Sequence, residues 1–267
     1  LPQEKVQLAL AGDLQAQCTA SSYAMRELGV PFAGLFGACS TMAEGLALGA
    51  ALCEGGAARN LLAMASSHFC AAERQFRTPL SYGAVRTPTA QWTATAAGCC
   101  LLQPQGEGVG IAAATFGRVQ DYQVKDINNM GAAMAPAAAS TLLHYFKDTG
   151  TEPQEFDCIY TGDLGQVGSQ LLRELLAAEG LLIKNHVDCG CILFDANEQS
   201  VKSGGSGPGC CAAVLCGHIL PRLRRGSQKR VLFTATGALM SQTTFLQKET
   251  IPAVAHLVEL RAPEKEK

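Results

Sequence analysis

A repeated strand–turn–helix pattern limits the folds open to this chain more than any other feature. The segments Ala9–Leu14 and Ile159–Leu164 both run from apolar residues into Gly-Asp-Leu, 150 positions apart (9 to 159). Each precedes a predicted helix that contains Arg-Glu-Leu, at 26–28 and 173–175. A second pair of similar runs, 59–65 and 229–235, follows small-residue helices. The repeat predicts the α/β class, with two similar halves, mainly parallel sheets and right-handed crossovers.

The repeat also predicts where a ligand would bind. We divide the chain into a first half, residues 1–125, and a second half, residues 126–267. A pseudo-twofold relation between them would bring the two Gly-Asp-Leu turns to a shared interface, and a cleft between halves is a natural ligand site. Asp13 and Asp163 are therefore candidate ligand-binding residues. The alternative is that each Asp only caps the following helix, which is a common role for Asp.

Cys39 lies at the junction between a predicted strand, 31–36, and a predicted helix, 43–53. The Gly37-Ala38 pair before it would allow a sharp turn. Free N–H groups and the helix dipole at such a junction would lower the pKa of the thiol, as expected for a nucleophile. The alternative is an unreactive buried thiol, since free cysteine is among the most often buried residue types.

Charge and cysteine usage argue against several classes of function. The formal net charge is −2 and no basic stripe occurs, which argues against nucleic acid as a partner. The twelve cysteines include no C-x-x-C pair, and the sequence shows no secretory signal, so we expect neither disulfides nor a metal site, and an intracellular protein. The Gly-rich loop 204–209 lacks the G-K-[ST] ending of a P-loop, and the dinucleotide fingerprint is missing. No cofactor is predicted.

Motifs along the whole chain resemble the family of stage V sporulation protein AD, within the thiolase superfamily. The segment 37–46, GACSTMAEGL, is similar to the nucleophile segment of thiolases and ketoacyl synthases. The other motifs that carry the resemblance lie at 66–68, 72–77, 82–83, 88–90, 130–139, 161–164, 204–207 and 235–239.

The resemblance carries several expectations. It implies a thiolase-like fold of two α/β halves in five layers, with the family's amino-terminal segment missing from this sequence. It implies non-catalytic binding of dipicolinic acid (pyridine-2,6-dicarboxylate), free or as its calcium chelate, in the uptake of this acid into the developing spore. The implied partners are membrane proteins of the same uptake system and a second copy, in a homodimer formed through the strand near Ser66. The implied location is the forespore or spore, peripheral to the inner spore membrane.

The chemistry of the condensing enzymes of the superfamily is incomplete in this chain. Those enzymes pair the cysteine with a His, and often an Asn, from the second half. The resemblance places the His in 161–164, which reads Thr-Gly-Asp-Leu, and the Asn in 204–209, which has none. A carboxylate in place of the imidazole would raise a nearby thiol pKa. Two hypotheses follow: a binding protein without catalysis, or an acyl-CoA or acyl-carrier acyltransferase that uses Cys39 as its nucleophile.

Three further features are candidates for holding an acidic ligand. His68 follows the strand of the first half and either lines the site or is structural. Arg74 is a candidate partner for carboxylates, with Arg77 and Arg86 nearby, because the guanidinium fork matches a carboxylate; the alternative is exposure to solvent. The N–H groups of the loop 204–209 are the third. The remaining histidines are interpreted as structural.

Four local predictions concern the surroundings of this site. The segment 69–92 is predicted to be irregular. The runs 93–102 and 108–117 alternate as an antiparallel pair of strands. Pro136 is predicted to start a helix that ends at 146, since proline is favoured in a first turn. The run 191–194 is predicted to be a strand.

Overall fold

The strands of the two repeat copies, β1 (Leu8–Gly12) and β7 (Cys158–Thr161), are interior strands of two separate sheets. The computed structural model describes residues 1–76 and 86–264, apart from the side chains of Gln17, Arg74 and Gln75. The first sheet has the order β2 (Phe32–Gly34), β1, β3 (Leu61–Ser67), β5 (Ala96–Leu102). The second has the order β6 (Gly110–Thr115), β11 (Ala253–Arg261), β10 (Arg230–Ala238), β7, β8 (His186–Asp188).

Strand directions agree between the two sheets. In each, three strands run parallel, namely β1, β2 and β3 in the first and β7, β8 and β10 in the second. In each, an antiparallel strand follows, β5 against β3 and β11 against β10. The α/β class and the similarity of the halves are therefore confirmed.

Helices fill the space between the sheets and cover their outer faces. α2 (Thr41–Glu54) contacts both sheets, and α7 (Pro208–Val214) packs beside it. α1 (Thr19–Leu28) covers the first sheet, whereas α4 (Met130–Thr149) and α5 (Gly165–Ala178) cover the second. The result is the five-layer arrangement that was expected. The shorter helices are α3 (Phe69–Phe76), α6 (Cys189–Leu193), α8 (Leu220–Arg224) and α9 (Gln242–Leu246).

The small residues of α2 follow from its position between two sheets. Met42, Ala43 and Ala47 are almost fully buried, and no polar stripe remains because both sides of the helix meet a sheet. A side chain at Gly49 would overlap Leu102 of β5. Because burial is tight on both faces, the middle layer brings the end of β2, and Cys39 after it, close to the second half.

Two short strands tie the halves together beside the site. β4 (Trp92–Thr93) pairs in parallel with β9 (Gly205–Ser206), so the Gly-rich loop of the second half is hydrogen-bonded to the first half. β6 precedes residue 126 but pairs with β11 in the second sheet. The boundary at 125/126 itself stays a prediction.

The structure corrects the prediction for 69–92 at residues 69–76, whereas 77–85 lie outside the described residues, and it corrects the pairing of the next two strands. Residues 69–76 form α3, in which Phe69, Ala72 and Phe76 recur at helical spacing on one face. β5 and β6 are both strands, but β5 pairs with β3 and β6 with β11. Alternating polarity identifies a half-buried strand and does not identify its partner.

Two boundaries in the second half were also wrong. α4 begins at Met130 and not at Pro136, because the Asn129 side chain accepts a hydrogen bond from Ala132 N (3.3 Å) and caps the helix. The strand predicted at 191–194 lies earlier, at 186–188, and the residues that follow it form α6.

Within the ranges that the structure describes, no helix has both the length and the apolar character needed to cross a membrane.

Candidate functional site

Cys39 lies in a short 3-10 turn, Ala38–Ser40, between β2 and α2. The sharp turn before it comes from Ala38, which takes the left-handed conformation at φ 49°. Gly37 has an ordinary φ of −74°. The site requires a glycine for a steric reason, because a side chain there would overlap the carboxylate of Glu44. The Ser40 hydroxyl donates to Gly37 O at 2.6 Å and holds the turn.

Burial decides the protonation state of Cys39. Desolvation raises the pKa of its thiol well above the usual value, and the charge of Asp163 raises it further. The expected lowering of this pKa by the helix dipole was therefore wrong. A helix dipole lowers the pKa of a thiol that stays partly hydrated. Cys39 is only 9% exposed and lies next to a carboxylate, and both conditions raise its pKa. The thiol is held protonated at neutral pH.

Asp163 lies across the interface from Cys39, in the segment 161–164 where the resemblance to condensing enzymes led us to look for a His. It follows β7 and is fully buried. Its carboxylate accepts hydrogen bonds from Thr236 Oγ1 (2.9 Å), Ser206 Oγ (3.2 Å) and Gly207 N (3.2 Å), and the neighbouring Cys39 thiol also stabilises its charge. Burial raises the pKa of this carboxyl to about 6 against those hydrogen bonds. A carboxylate with a pKa of about 6 is too weak a base to remove the proton of a thiol whose pKa is raised well above its usual value.

The sequence analysis did not identify Asp188, which holds the turn that carries Asp163. Asp188 ends β8 and accepts from Thr161 Oγ1 (2.6 Å), Leu164 N (2.9 Å) and Gly165 N (2.9 Å). Burial raises its pKa to about 7. The strand was predicted at 191–194, so Asp188 did not stand at the end of a strand beside Gly-Asp-Leu. A strand at 186–188 would have placed it there.

A cavity of about 90 Å³ opens in front of Cys39, between the two halves. Its polar lining consists of Cys39, Thr93 and Ser206, and Asp163 lies directly behind two of these. A wider outer groove shares part of this lining and also includes Phe36 and Asp13. The remaining lining of the cavity is apolar: Leu14, Ala38, Ala72, Phe76, Ile127, Met130, Met134, Ala238 and Met240.

Asp13 and His68 do not line this inner cavity. The Asp13 carboxylate accepts from Gln15 N (2.7 Å), Ser21 N (2.8 Å) and Ser21 Oγ (2.7 Å), which is the helix-capping role left open for it. His68 is exposed and shares a separate shallow groove with Asp13. Of the two Gly-Asp-Leu turns, the first contributes Leu14 to the cavity and the second places Asp163 behind it.

The arginine candidates divide into two groups. Arg86 is engaged elsewhere: it pairs with Glu73 at 2.8 Å, and its guanidinium lies 4.4 Å from the centre of the Trp92 ring. The Arg74 side chain and Arg77 lie outside the described residues. Among the lining residues that the structure does describe, none carries a cationic side chain.

The Gly-rich loop uses its N–H groups within the protein. Gly207 N donates to Asp163, and Gly209 N donates to Ser67 Oγ at 3.1 Å. Within the described ranges of 1–76 and 86–264, no histidine lines the cavity: His186 contacts Thr161 Oγ1 at 2.8 Å, and His256 accepts from Gly117 N at 3.2 Å.

Alkylation tests the protonation state of Cys39. Iodoacetamide reacts with thiolates, so at pH 8 we expect Cys70 and Cys99, which are exposed, to be modified well before Cys39 in the native protein. Peptide mapping by mass spectrometry at successive times measures the order. Unfolded protein serves as the control, in which all three should react at similar rates. Preferential labelling of Cys39 in the native state would contradict the expectation and indicate an activated nucleophile.

Comparison with solved structures confirms the fold. The chain is similar to 3-oxoacyl-[acyl-carrier-protein] synthase III from Aquifex aeolicus, with a TM-score of 0.58, 13% identity, and coverage of 97% of this chain and 78% of the other. It is also similar to the tetronic acid condensing enzyme AbyA1, with a TM-score of 0.61, 15% identity, and coverage of 98% and 80%. At such identities the likeness establishes a thiolase-like fold and nothing about activity.

Sequence comparison identifies the family. Stage V sporulation protein AD of Bacillus subtilis (strain 168) is 43% identical over 257 residues, which cover 96% of this chain and 76% of that protein. The family model described as Stage V sporulation protein AD (SpoVAD) matches residues 1–261. The chain therefore belongs to the stage V sporulation protein AD family of sporulation proteins.

Proposed function

We propose that this protein binds dipicolinic acid without catalysis, in the cavity in front of Cys39, for uptake of the acid into the developing spore. The observation that carries the proposal is the carboxylate of Asp163 beside the Cys39 thiol, in the segment where the resemblance to condensing enzymes led us to look for a His. Family membership supports the sporulation role, and the cavity supports a small ligand.

The state of the thiol argues against condensation or acyl transfer. Attack on an acyl group needs a thiolate, and burial together with the Asp163 charge keeps Cys39 protonated. Asp163 has no proton to donate to a developing oxyanion unless it is itself protonated, and its carboxylate accepts hydrogen bonds from Ser206, Gly207 and Thr236. The site therefore presents donors to a ligand and lacks a base matched to cysteine.

The lining of the cavity suits part of a compact planar acid, and the outer groove that adjoins it offers room for the remainder. About 90 Å³ is small beside the pockets of about 300–1,000 Å³ that bury larger ligands. Phe76, Met130 and Met134 provide apolar walls for a ring. The Cys39 thiol and the Ser206 hydroxyl are donors that a carboxylate of the ligand can accept from.

The electrostatics favour a ligand of reduced charge. A dianion would approach the buried carboxylate of Asp163, and like charges at short range in a poorly hydrated site repel strongly. A calcium chelate of dipicolinate has no net charge in its 1:1 form and avoids this repulsion. We therefore include the calcium chelate in the proposal beside the free acid.

A thermal-unfolding titration with dipicolinate tests the proposal. Ligand at 100 times its Kd raises the free energy of unfolding by about 2.7 kcal/mol, which raises Tm. Ala238→Leu should abolish this rise, because Ala238 lines both the cavity and the outer groove and a larger side chain there would block the connection between them.

The matched control is Ala50→Leu, the same change at a half-buried position that lines a groove on another face. This variant should keep the full ligand-induced rise in Tm. No rise for the unmodified protein, with or without equimolar calcium, would refute dipicolinate binding. An equal loss in both variants would refute the placement of the ligand in this cavity.

The acyltransferase alternative has a separate test. A thioester of Cys39 forms when its sulfur attacks the carbonyl carbon of acetyl-CoA and the CoA thiol leaves with the proton. Intact mass spectrometry after incubation would detect the acetyl adduct. We expect no adduct at Cys39; an adduct that is absent from Cys39→Ala would favour the enzyme.

We also propose a homodimer and attachment to the inner spore membrane through membrane proteins of the uptake system. Ser66 lies on β3, which pairs with β1 on one side and β5 on the other, so the strand available to a second copy at this edge is the neighbouring β5. Analytical ultracentrifugation tests the dimer, and a monomer at high concentration would exclude it. Co-purification from spore membranes tests the attachment.

A further inference from the structure

Two of the hydrogen-bond donors in the cavity are shared between Asp163 and any ligand. The Cys39 thiol and the Ser206 hydroxyl both line the cavity; Ser206 Oγ donates to the Asp163 carboxylate behind it at 3.2 Å, and the Cys39 thiol stabilises the charge of the same carboxylate. Each has a single proton to donate. If these protons turn toward a carboxylate of the ligand, Asp163 loses the hydrogen bond from Ser206 and the stabilising interaction with Cys39 while it remains fully buried.

An ionised carboxylate is strongly destabilised by such a loss, because a buried charge depends on the donors that replace water. A protonated carboxyl is not, since it carries no charge and needs fewer donors. Thr236 Oγ1 and Gly207 N would remain as its partners, at 2.9 and 3.2 Å. The geometry therefore links release of the two donors to the gain of a proton by Asp163.

We propose that Asp163 takes up one proton when an anionic ligand carboxylate binds at Cys39 and Ser206, so that the site binds its ligand together with a proton. The inference rests on the proposed binding function and adds the role of Asp163 as a positioning residue that controls the two donors. The ligand class it selects is a carboxylate that accepts from both donors.

The described neighbours of Asp163 do not supply a positive charge that could stabilise its ionised carboxylate after the two donors turn toward a ligand. The titratable groups that face it are Cys39 from the turn before α2, Cys210 and Cys211 from α7, Cys189 from α6, and Asp188 from the end of β8. Its contacts on β10 and β9 are the uncharged Thr236 and Ser206. Among these described neighbours there is no cation that would neutralise a second negative charge.

Asp188 is a second buried carboxylate near Asp163, and the groups that donate hydrogen bonds to it are of a different kind. Two of its three partners are the backbone N–H groups of Leu164 and Gly165, which cannot turn toward a ligand. It contacts none of the cavity lining through these bonds. A ligand that binds at Cys39 and Ser206 therefore changes the hydrogen bonds of Asp163 and leaves those of Asp188 in place.

Isothermal titration calorimetry with sodium dipicolinate measures the proton directly. At each pH from 5 to 8, the observed enthalpy is compared between two buffers of different ionisation enthalpy, and the slope gives the number of protons taken up. We expect about one proton at pH 8 and none at pH 5, where Asp163 is already protonated. The affinity should fall by about tenfold per pH unit above the point of half-uptake, as one linked proton requires.

Variants assign the proton to a residue. Asp163→Asn should bind with no proton uptake and with little dependence on pH. Asp13→Asn, the same change at the equivalent turn of the first half, should keep the full uptake, because the Asp13 carboxylate bonds Gln15 and Ser21 and not the cavity donors. Asp188→Asn should also keep it.

The possible results distinguish a failure of this inference from a failure of the proposed binding function. Binding without proton uptake at pH 8 in the unmodified protein would overturn the inference and leave the binding function standing, and this measurement does not depend on the variants folding. Uptake that persists in Asp163→Asn, or that is lost only in Asp188→Asn, would also overturn it. An absence of binding at every pH would overturn the proposed function, and the inference with it.

Discussion

Glu259→Ala is expected to lower the free energy of unfolding by about 3 kcal/mol, because three hydrogen bonds to a buried carboxylate are lost together. Glu259 lies on β11 with its side chain 3% exposed. Its carboxylate accepts from Arg230 Nε and Arg261 Nε, both at 2.7 Å, and from the Tyr145 hydroxyl of α4. The substitution would leave Tyr145 without this partner and Arg230 without its buried one. Urea unfolding monitored by circular dichroism measures the loss.

The same network predicts how stability depends on pH. Burial alone would raise the pKa of Glu259, but the hydrogen bonds from Arg230, Tyr145 and Arg261 outweigh it and lower the pKa to about 2. Because the folded pKa lies below the unfolded one, the stabilisation is complete above pH 4.5 and is lost as pH falls toward 2. The difference corresponds to roughly 3 kcal/mol. The loss between pH 4.5 and 2 should be smaller in Glu259→Ala.

Glu155→Gln is the control, since Glu155 pairs with the same arginine at 3.2 Å but is 45% exposed. An exposed pair contributes about 1 kcal/mol or less. If the two variants were equally stable, the network around Glu259 would not hold β11 to α4 as we infer.

The sequence predicted the framework around the site better than the chemistry at its centre. Local signals were sufficient for α1, the predicted helix that contains Arg-Glu-Leu at 26–28, whose end is fixed by Gly29 in the left-handed conformation. The position of Cys39 between a strand and a helix was also predicted from local composition. These features depend on residues that are neighbours in the chain, so the sequence carries them directly.

The protonation state of Cys39 depends on residues far away in the chain. Asp163 lies 124 positions after Cys39 (39 to 163), and the burial that raises the pKa of the thiol comes from packing between the two halves. The resemblance to condensing enzymes pointed to this segment because a His was missing there. It correctly predicted that a carboxylate there would raise the pKa of a nearby thiol, but it did not predict the burial of Cys39, which is the larger cause of the shift.

The role of Asp188 was missed for a different reason. Whether a short apolar run forms a strand or a helix depends on its neighbours, and the run after Asp188 becomes helical because β8 ends there. Moving the strand by a few residues changes which side chain stands at its end. An error of that size is minor for the fold and decisive for the identity of a residue in the site.

Gly237→Ala is expected to disturb the Cys39 turn and to lower the free energy of unfolding by about 3 kcal/mol, at the upper end for overpacking. Gly237 lies on β10, where the strand passes the turn between β2 and α2. A methyl group there would overlap the carbonyl oxygen of Gly37 and lie 3.1 Å from Ser40 N. Both contacts are with backbone atoms, which cannot rotate away as a side chain can, so one of the two halves must shift.

The effect should reach the ligand site because Gly37 and Ser40 flank Cys39. A displaced turn moves the thiol away from Asp163, so we expect weaker dipicolinate binding and faster alkylation of Cys39 at pH 8. Gly110→Ala is the matched control: Gly110 also lies in a strand, β6, and a methyl group there would meet no atom within 4 Å. It should leave stability, binding and alkylation close to those of the unmodified protein. If Gly237→Ala behaved like this control, the contact between β10 and the Cys39 turn would not be what positions the thiol.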